Sequence, residues 1–255
     1  MFRLSHTLGV VSRPRDQPAP LIWLQPDPPR PRELSRGQIV QAAVAVADEG
    51  GAQTLTMAAV AGRLGSYSAM ALYRYVSSKD GLIDLMLDHV IAEVELPSRP
   101  SRAWRADIQA IASSTWAMVM RHGWYGQLVY RRPPLGPNMM RRTETMLEIL
   151  TRQGASAEEA ITYASLIDRH IFGSALQVVE EGAMEDRYGI TTADELAQAI
   201  TASRDLAAVG GSYPILSSWM AHPSVISPTE QFELSLGFLL DGIAAQLRRR
   251  KRNAP

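Results

Sequence analysis

The chain has 255 residues, 46% hydrophobic, 20% charged and 7% aromatic, a composition that excludes global disorder and a coiled coil and is long enough to bury about 70–75% of the unfolded surface. It has no cysteine, which excludes disulfide frameworks, thiolate metal sites and a cysteine nucleophile. Lys and Arg together number 26 and so do Asp and Glu, so any attraction to nucleic acid, membrane or acidic ligands must come from a local patch.

Residues 1–31 hold seven prolines, four arginines and two acids with no apolar period. They are expected to form a disordered, mildly basic arm whose Arg13, Arg15 and Arg30 can assist DNA binding. The apolar run from Leu8 to Val11 is too short for a signal peptide. Residues 206–229 lack charge but contain Pro214, Pro223, Pro228 and His222, so no membrane span is expected and the protein reads as cytoplasmic.

Helical patterning starts at Ser35, which forms a capping box with Gln38; Ile39, Ala43, Val46 and Ala47 then share a face up to Gly50 and Gly51. A short second helix opens at the cap Thr56 and ends at Gly65. A third is expected over 68–76, and a fourth after Ser77 or Ser78 with Leu82, Ile83, Leu85, Met86, Val90 and Ile91 buried. Pro97 and Pro100 close this unit. Beyond them the periodicity predicts a long helix over 101–122 interrupted by Gly123, a short segment near Leu128, a rigid turn at 131–137 and a helix to Gln153. Capping boxes at Ser156 with Glu159, Thr192 with Glu195 and Ser227 with Glu230 open three more, the first running to about Glu181 and the second to about Val209. The last has Pro228 at N1 and ends in the basic run 248–252. No stretch alternates at strand period, so the fold is expected to be all-α, with an arm at 1–31, one unit at 32–96 and a larger one at 101–250.

Two short helices joined by a tight glycine turn and packed on a third are what a helix-turn-helix requires, the second lying in a major groove about 12 Å wide. The run LYRYVSSKDGLIDLML at 72–87, with LTMAAVAGRLG before it, resembles the TetR/AcrR family of transcriptional repressors. The match covers about residues 34–95, with one residue more between Gly65 and Tyr73 than the family pattern has. Thr56, Ser68, Ala69, Met70, Tyr73, Arg74, Tyr75 and Lys79 are the candidate DNA contacts, the hydroxyls, aromatics and cations suiting thymine methyls and phosphates. Residues 32–95 nevertheless carry eight acids against five bases, so affinity is expected to rest on a stripe.

The remainder resembles the tetracycline-repressor class in Arg132-Pro133, the run RTETMLE at 142–148, and Gly154, Ser156, Ala160 and Gly173. That resemblance implies a ligand pocket between the middle helices and a homodimer built by the eighth and last helices. Trp116, Met120, Trp124, Tyr125, Arg132, Met139, Met146, Tyr163 and His170 are the candidate effector contacts, mainly large adaptable groups near helix breaks. Leu166, Gln177, Phe232, Leu236, Leu240, Ile243 and Leu247 are the candidate dimer contacts. Asp168, a carboxylate on an apolar face, needs a partner such as Arg142 or a ligand.

The five histidines show no metal-ligand spacing, and Gly-rich phosphate loops and a nucleophile elbow are absent, so no metal, cofactor or catalytic residue is assigned. The reading is a regulator that binds a palindromic double-stranded operator as a homodimer and is released by a small hydrophobic or aromatic effector. The alternative is an all-α sequestering protein or enzyme that has lost DNA binding.

Overall fold

The computed structural model describes residues 22–24, 34–65, 67–132, 135–189, 195, 213–221 and 226–253. The described part contains only helices, as expected. They are α1 (Arg36–Gly50), α2 (Met57–Leu64), α3 (Ala69–Val76), α4 (Lys79–Ile91), α5 (Trp104–Arg121), α6 (Trp124–Val129), α7 (Pro137–Thr151), α8 (Ala157–Tyr188), α9 (Pro214–Ala221) and α10 (Pro228–Asn253), with short 3-10 turns at Ile22–Leu24 and Ala52–Thr54.

Side-chain caps set the starts of α1–α4, α8 and α10. Ser35 and Gln38 close the reciprocal box at α1, Thr56 accepts from the Ala59 amide, Ser68 from Ala71 and Ser78 from Gly81. The boxes at Ser156 with Glu159 and Ser227 with Glu230 form as the sequence predicts. The helix expected from Thr192 to about Val209 lies outside the described residues apart from Glu195. Two elements run differently from the expectation. α8 passes through Gly182 and ends at Tyr188, before Gly189 at φ 68°, because a lone mid-helix glycine weakens a helix by only about 1 kcal/mol and does not stop it. α9 starts on Pro214, a residue the chain tolerates at a first helical position.

Helices α1–α4 form the N-terminal unit. Gly65, at φ 82°, turns the chain between α2 and α3, a conformation that side chains with a Cβ resist. Gly81 lets α4 approach α3: a Cβ there would stand 2.6 Å from the Val76 carbonyl oxygen. Ile22, within the segment expected to be a structureless arm, is buried and packs beside Gly81 against α4; a local apolar triplet overrides the proline-rich composition there. The rest of the arm, with Arg13, Arg15 and Arg30, lies outside the described residues.

Helices α5–α8 and α10 form the larger unit, α8 packing on α5, α6, α7 and α10. Phe232, Leu236, Leu240, Ile243 and Leu247 of α10 are buried within the single chain. This corrects their assignment to a dimer interface. Phe232 is stacked between Trp116 of α5 at 4.3 Å and His170 of α8 at 5.4 Å, so the apolar stripe of α10 is used inside the protomer. The opposite side of α10 exposes Leu234 and Phe238, at 54% and 67%, and α8 exposes Leu166 and Gln177.

Candidate nucleic-acid interface and effector site

Of the predicted DNA contacts, α3 presents Met70, Tyr73 and Arg74 to solvent, with Met70 76% exposed. Ser68 at its N-cap and Thr56 at the N-cap of α2 are exposed too, as is Lys79 in the first turn of α4, while Ala69 is half-buried. Tyr75 is a correction. It is 7% exposed, because Leu72, Tyr75 and Val76 fall at i, i+3 and i+4 on the face that meets the unit's core. Its carbonyl accepts a hydrogen bond from Arg36 Nε at 3.0 Å, which fixes the end of α3 to α1.

The acid surplus of this unit is directed elsewhere. Asp84 receives a two-pronged bond from Arg132, Nε to Oδ1 at 2.6 Å and Nη2 to Oδ2 at 2.8 Å, and Asp80 lies 3.0 Å from Nη1 of the same guanidinium. Asp88, 2% exposed, caps α7: its carboxylate accepts from the amides of Asn138 and Met139 at 3.2 and 2.9 Å and from Asn138 Nδ2 at 2.9 Å. A Cβ at Gly136 would fall 2.2 Å from the Asp88 Cγ, so the close fit needs a glycine there. Asp48 accepts from the Trp124 indole N–H at 2.6 Å and lies 2.7 Å from His122 Nδ1, and His122 Nε2 lies 3.1 Å from Glu93. Asp48, Asp80, Asp84, Asp88 and Glu93 thus face the larger unit rather than a nucleic acid.

Two of the effector candidates take part in these ties. Arg132 and Trp124 are struts between the units: the guanidinium is occupied by α4 carboxylates and the indole nitrogen by α1. Sequence reasoning missed Asp84 and Asp48 as their counterparts, and with them the Asp88 cap on α7 and the His122 contacts. The spacing Asp80, Asp84, Asp88 places three acids on one helical face, a visible signal, but their partners lie about 50 positions away in the chain.

Trp116 and His170 are likewise packed around Phe232, and His170 Nε2 lies 3.0 Å from Ser235 Oγ; burial holds the imidazole below its ordinary pKa. Met120 is on the surface, Tyr163 is half-buried, and Met139 and Met146 are in the core. Asp168 does take Arg142 as its partner, at 2.8 Å. Arg142 is completely buried, its Nε donating to Thr115 Oγ1 at 3.1 Å while Thr115 donates to the Ile111 carbonyl at 2.7 Å. Tyr125 is fully buried beside Phe172, ring centroids 5.5 Å apart. Its phenol is pushed far above the ordinary range by burial, with Asp168 and Asp88 adding to the rise and Arg142 opposing it.

A separate cleft of about 860 Å³ opens between the units, lined on one side by Gln53, Leu55, Lys79 and Ile83 and on the other by Leu128, Arg131, Arg132 and Leu176. Among the described residues no group of three or more His, Asp or Glu side chains is arranged to hold a metal ion, and no helix is long and apolar enough to cross a membrane.

A capped two-helix reader on an N-terminal unit, tied by a row of carboxylates to a larger helical body, defines a one-component helix-turn-helix regulator. Residues 96–247 match the family model described as tetracyclin repressor-like, C-terminal domain. The chain is 34% identical over 229 residues to the HTH-type transcriptional repressor DrrR1 of Streptomyces coeruleorubidus, covering 89% of this chain and 83% of that protein. Among solved structures it resembles apo ActR from Streptomyces coelicolor, with a TM-score of 0.72, 25% identity, and coverage of 86% of this chain and 99% of that one. It also resembles ActR in complex with actinorhodin, with a TM-score of 0.70, 27% identity, and coverage of 84% and 98%. The chain belongs to the TetR family of transcriptional regulators.

Proposed function

We propose that the protein is a cytoplasmic repressor that binds a palindromic operator as a homodimer and releases it when a small aromatic molecule enters the larger unit. The observation that carries DNA binding is the solvent-facing row of α3, Met70, Tyr73 and Arg74, flanked by the exposed hydroxyls of Thr56 and Ser68 and the ammonium of Lys79. Met70 and the half-buried Ala69 supply apolar contact for thymine methyls, while Arg74, Tyr73, Thr56 and Lys79 reach phosphates. Residues 32–96 are the reading unit and 101–250 the sensing and dimerising unit.

Dimerisation is assigned to the exposed sides of α8 and α10, with Leu166 and Gln177 joined by Leu234 and Phe238. Two-fold pairing presents two copies of α3 to successive major-groove faces, about 34–36 Å or a multiple apart. That ActR was solved with actinorhodin supports a small-molecule effector for this chain.

The test is selection of bound sequences from a random duplex pool. An enriched inverted repeat is the expected result, and binding should fall steeply with salt. Enrichment of single half-sites, or of nothing, rejects the reading in favour of a sequestering protein.

A further inference from the structure

We propose that Met70 is a reversible oxidation site, at which conversion of the thioether to the sulfoxide by a hydroperoxide abolishes sequence-specific DNA binding. This rests on the reading of α3 as the helix that enters the major groove, and it gives the reading unit an input separate from any effector.

Sulfur is unevenly placed in the chain. There is no cysteine, so no thiolate is present to react first and methionine is the residue left to accept an oxygen atom. In the reading unit Met57 and Met86 are buried in the core, whereas Met70 is the most exposed of the described methionine side chains. An oxidant therefore meets one thioether in this unit. That thioether stands in the first turn of α3, two residues after the Ser68 cap. The other exposed methionines, Met120, Met140 and Met184, lie on α5, α7 and α8 of the larger unit.

Position decides the consequence. Met70 is outside the core, so its oxidation leaves the packing of Leu72, Tyr75 and Val76 untouched. On the solvent side of α3, a flexible apolar arm suited to a thymine methyl becomes polar and chiral. Its new oxygen is desolvated against that methyl with no donor to receive it. Arg74 and Lys79 keep their charges, so contact with phosphates survives. The expected signature is lost specificity with retained non-specific affinity, which a damaged fold would not give.

The oxygen transfer balances without a metal or cofactor. The sulfur lone pair attacks the distal oxygen of the hydroperoxide, and the S–O bond forms as O–O breaks. Sulfur gives up two electrons, and the proton on the transferred oxygen passes to the departing alkoxide, which leaves as an alcohol. Bound duplex covers α3, so the free regulator is the form that reacts.

The experiment treats the full chain with tert-butyl hydroperoxide, maps it by tryptic mass spectrometry, and titrates it with the selected inverted repeat and a random duplex of equal length. The tryptic peptide Leu64–Arg74 contains no other sulfur, so its gain of one oxygen reports Met70 directly. Met70 should react ahead of Met57 and Met86, and more slowly when the operator is bound. Helicity and melting temperature should hold. Operator affinity should fall at least about tenfold, the effect of about one mismatched base pair, while random-duplex affinity changes by less than about twofold. The two stereospecific methionine sulfoxide reductases should restore it. In Met70→Leu the ratio of operator affinities before and after treatment should be near one, whatever the starting affinity. A chain carrying Met120→Leu, Met140→Leu and Met184→Leu should keep the full loss. Unchanged operator affinity at complete Met70 oxidation, an equal loss on random duplex, or a loss that persists in Met70→Leu overturns the proposal; each leaves the selected operator, and so the regulator reading, standing. A selection that yields no operator rejects both together.

Discussion

Asp88 shows how a single side chain can serve a helix it does not belong to. It projects from α4, yet its carboxylate satisfies the first amides of α7, whose preceding residue, Gly136, offers no side-chain cap. Replacing it with Ala leaves those donors buried and unpaired and removes a favourable charge at a helix N-terminus, at a cost of about 2 kcal/mol. Urea denaturation should therefore show a clear drop in midpoint, with Asp88→Asn recovering part of it. His170 gives a second residue-scale expectation. Its folded pKa is held below the ordinary 6.5 by desolvation, so the unfolded chain takes up a proton first as pH falls. The stability it contributes is complete above about 6.5 and declines as pH drops through that value toward the folded pKa. Melting temperatures at pH 8.0 and 5.5 should differ less in His170→Gln than in the native chain, because the remaining titrating groups are common to both.

At the scale of elements, the two sides of α10 separate stability from assembly. Leu240 is fully buried in the protomer whereas Phe238, two positions away, faces outward. Leu240→Arg should cost on the order of 4 kcal/mol or more and yield poorly folded protein. Phe238→Arg should leave the protomer's helicity intact and convert a dimer into a folded monomer in analytical ultracentrifugation; a Phe238→Arg dimer places the interface elsewhere. This same helix marks where sequence reading stopped. The stripe Phe232, Leu236, Leu240, Ile243 and Leu247 was plain at helical period, but a stripe does not say whether its cover comes from the same chain or another. Periodicity did hold the answer for Tyr75, three residues after Leu72 and one before Val76 on the buried face; its hydroxyl made it look like a phosphate contact. Cap chemistry was the most legible signal, since a Ser followed by Gln or Glu at three residues acts locally and needs no tertiary partner. The pairing of Asp168 with Arg142 was legible too, because a carboxylate on an apolar face demands a cation. The struts were not, because a salt bridge between α4 and the turn after α6 depends on how two units dock.

The whole molecule works as a regulator only if the two units share their conformational state, and the polar ties between them are the physical means. Asp88 on the start of α7, Asp84 in the fork of Arg132, and Asp48 on Trp124 and His122 attach α4 and α1 to three different elements of the larger unit. An effector that shifts α6 or α7 therefore moves carboxylates rooted in the reading unit. Arg132→Lys keeps the cation but loses the planar fork that grips both oxygens of Asp84, so it loosens one tie without leaving a buried charge unpaired. The expected result is effector affinity in the free protein close to native, and operator affinity in the absence of effector also close to native. The effector-induced loss of operator affinity, about 5- to 150-fold for a coupling of 1–3 kcal/mol, should shrink toward none. Linkage supplies an internal check, because operator DNA must weaken effector binding by the same factor in each protein. A variant in which effector binding and release fall together would place Arg132 in the effector site after all. One that retains native coupling in both directions would assign transmission to the Asp88 cap and the Trp124 contact alone.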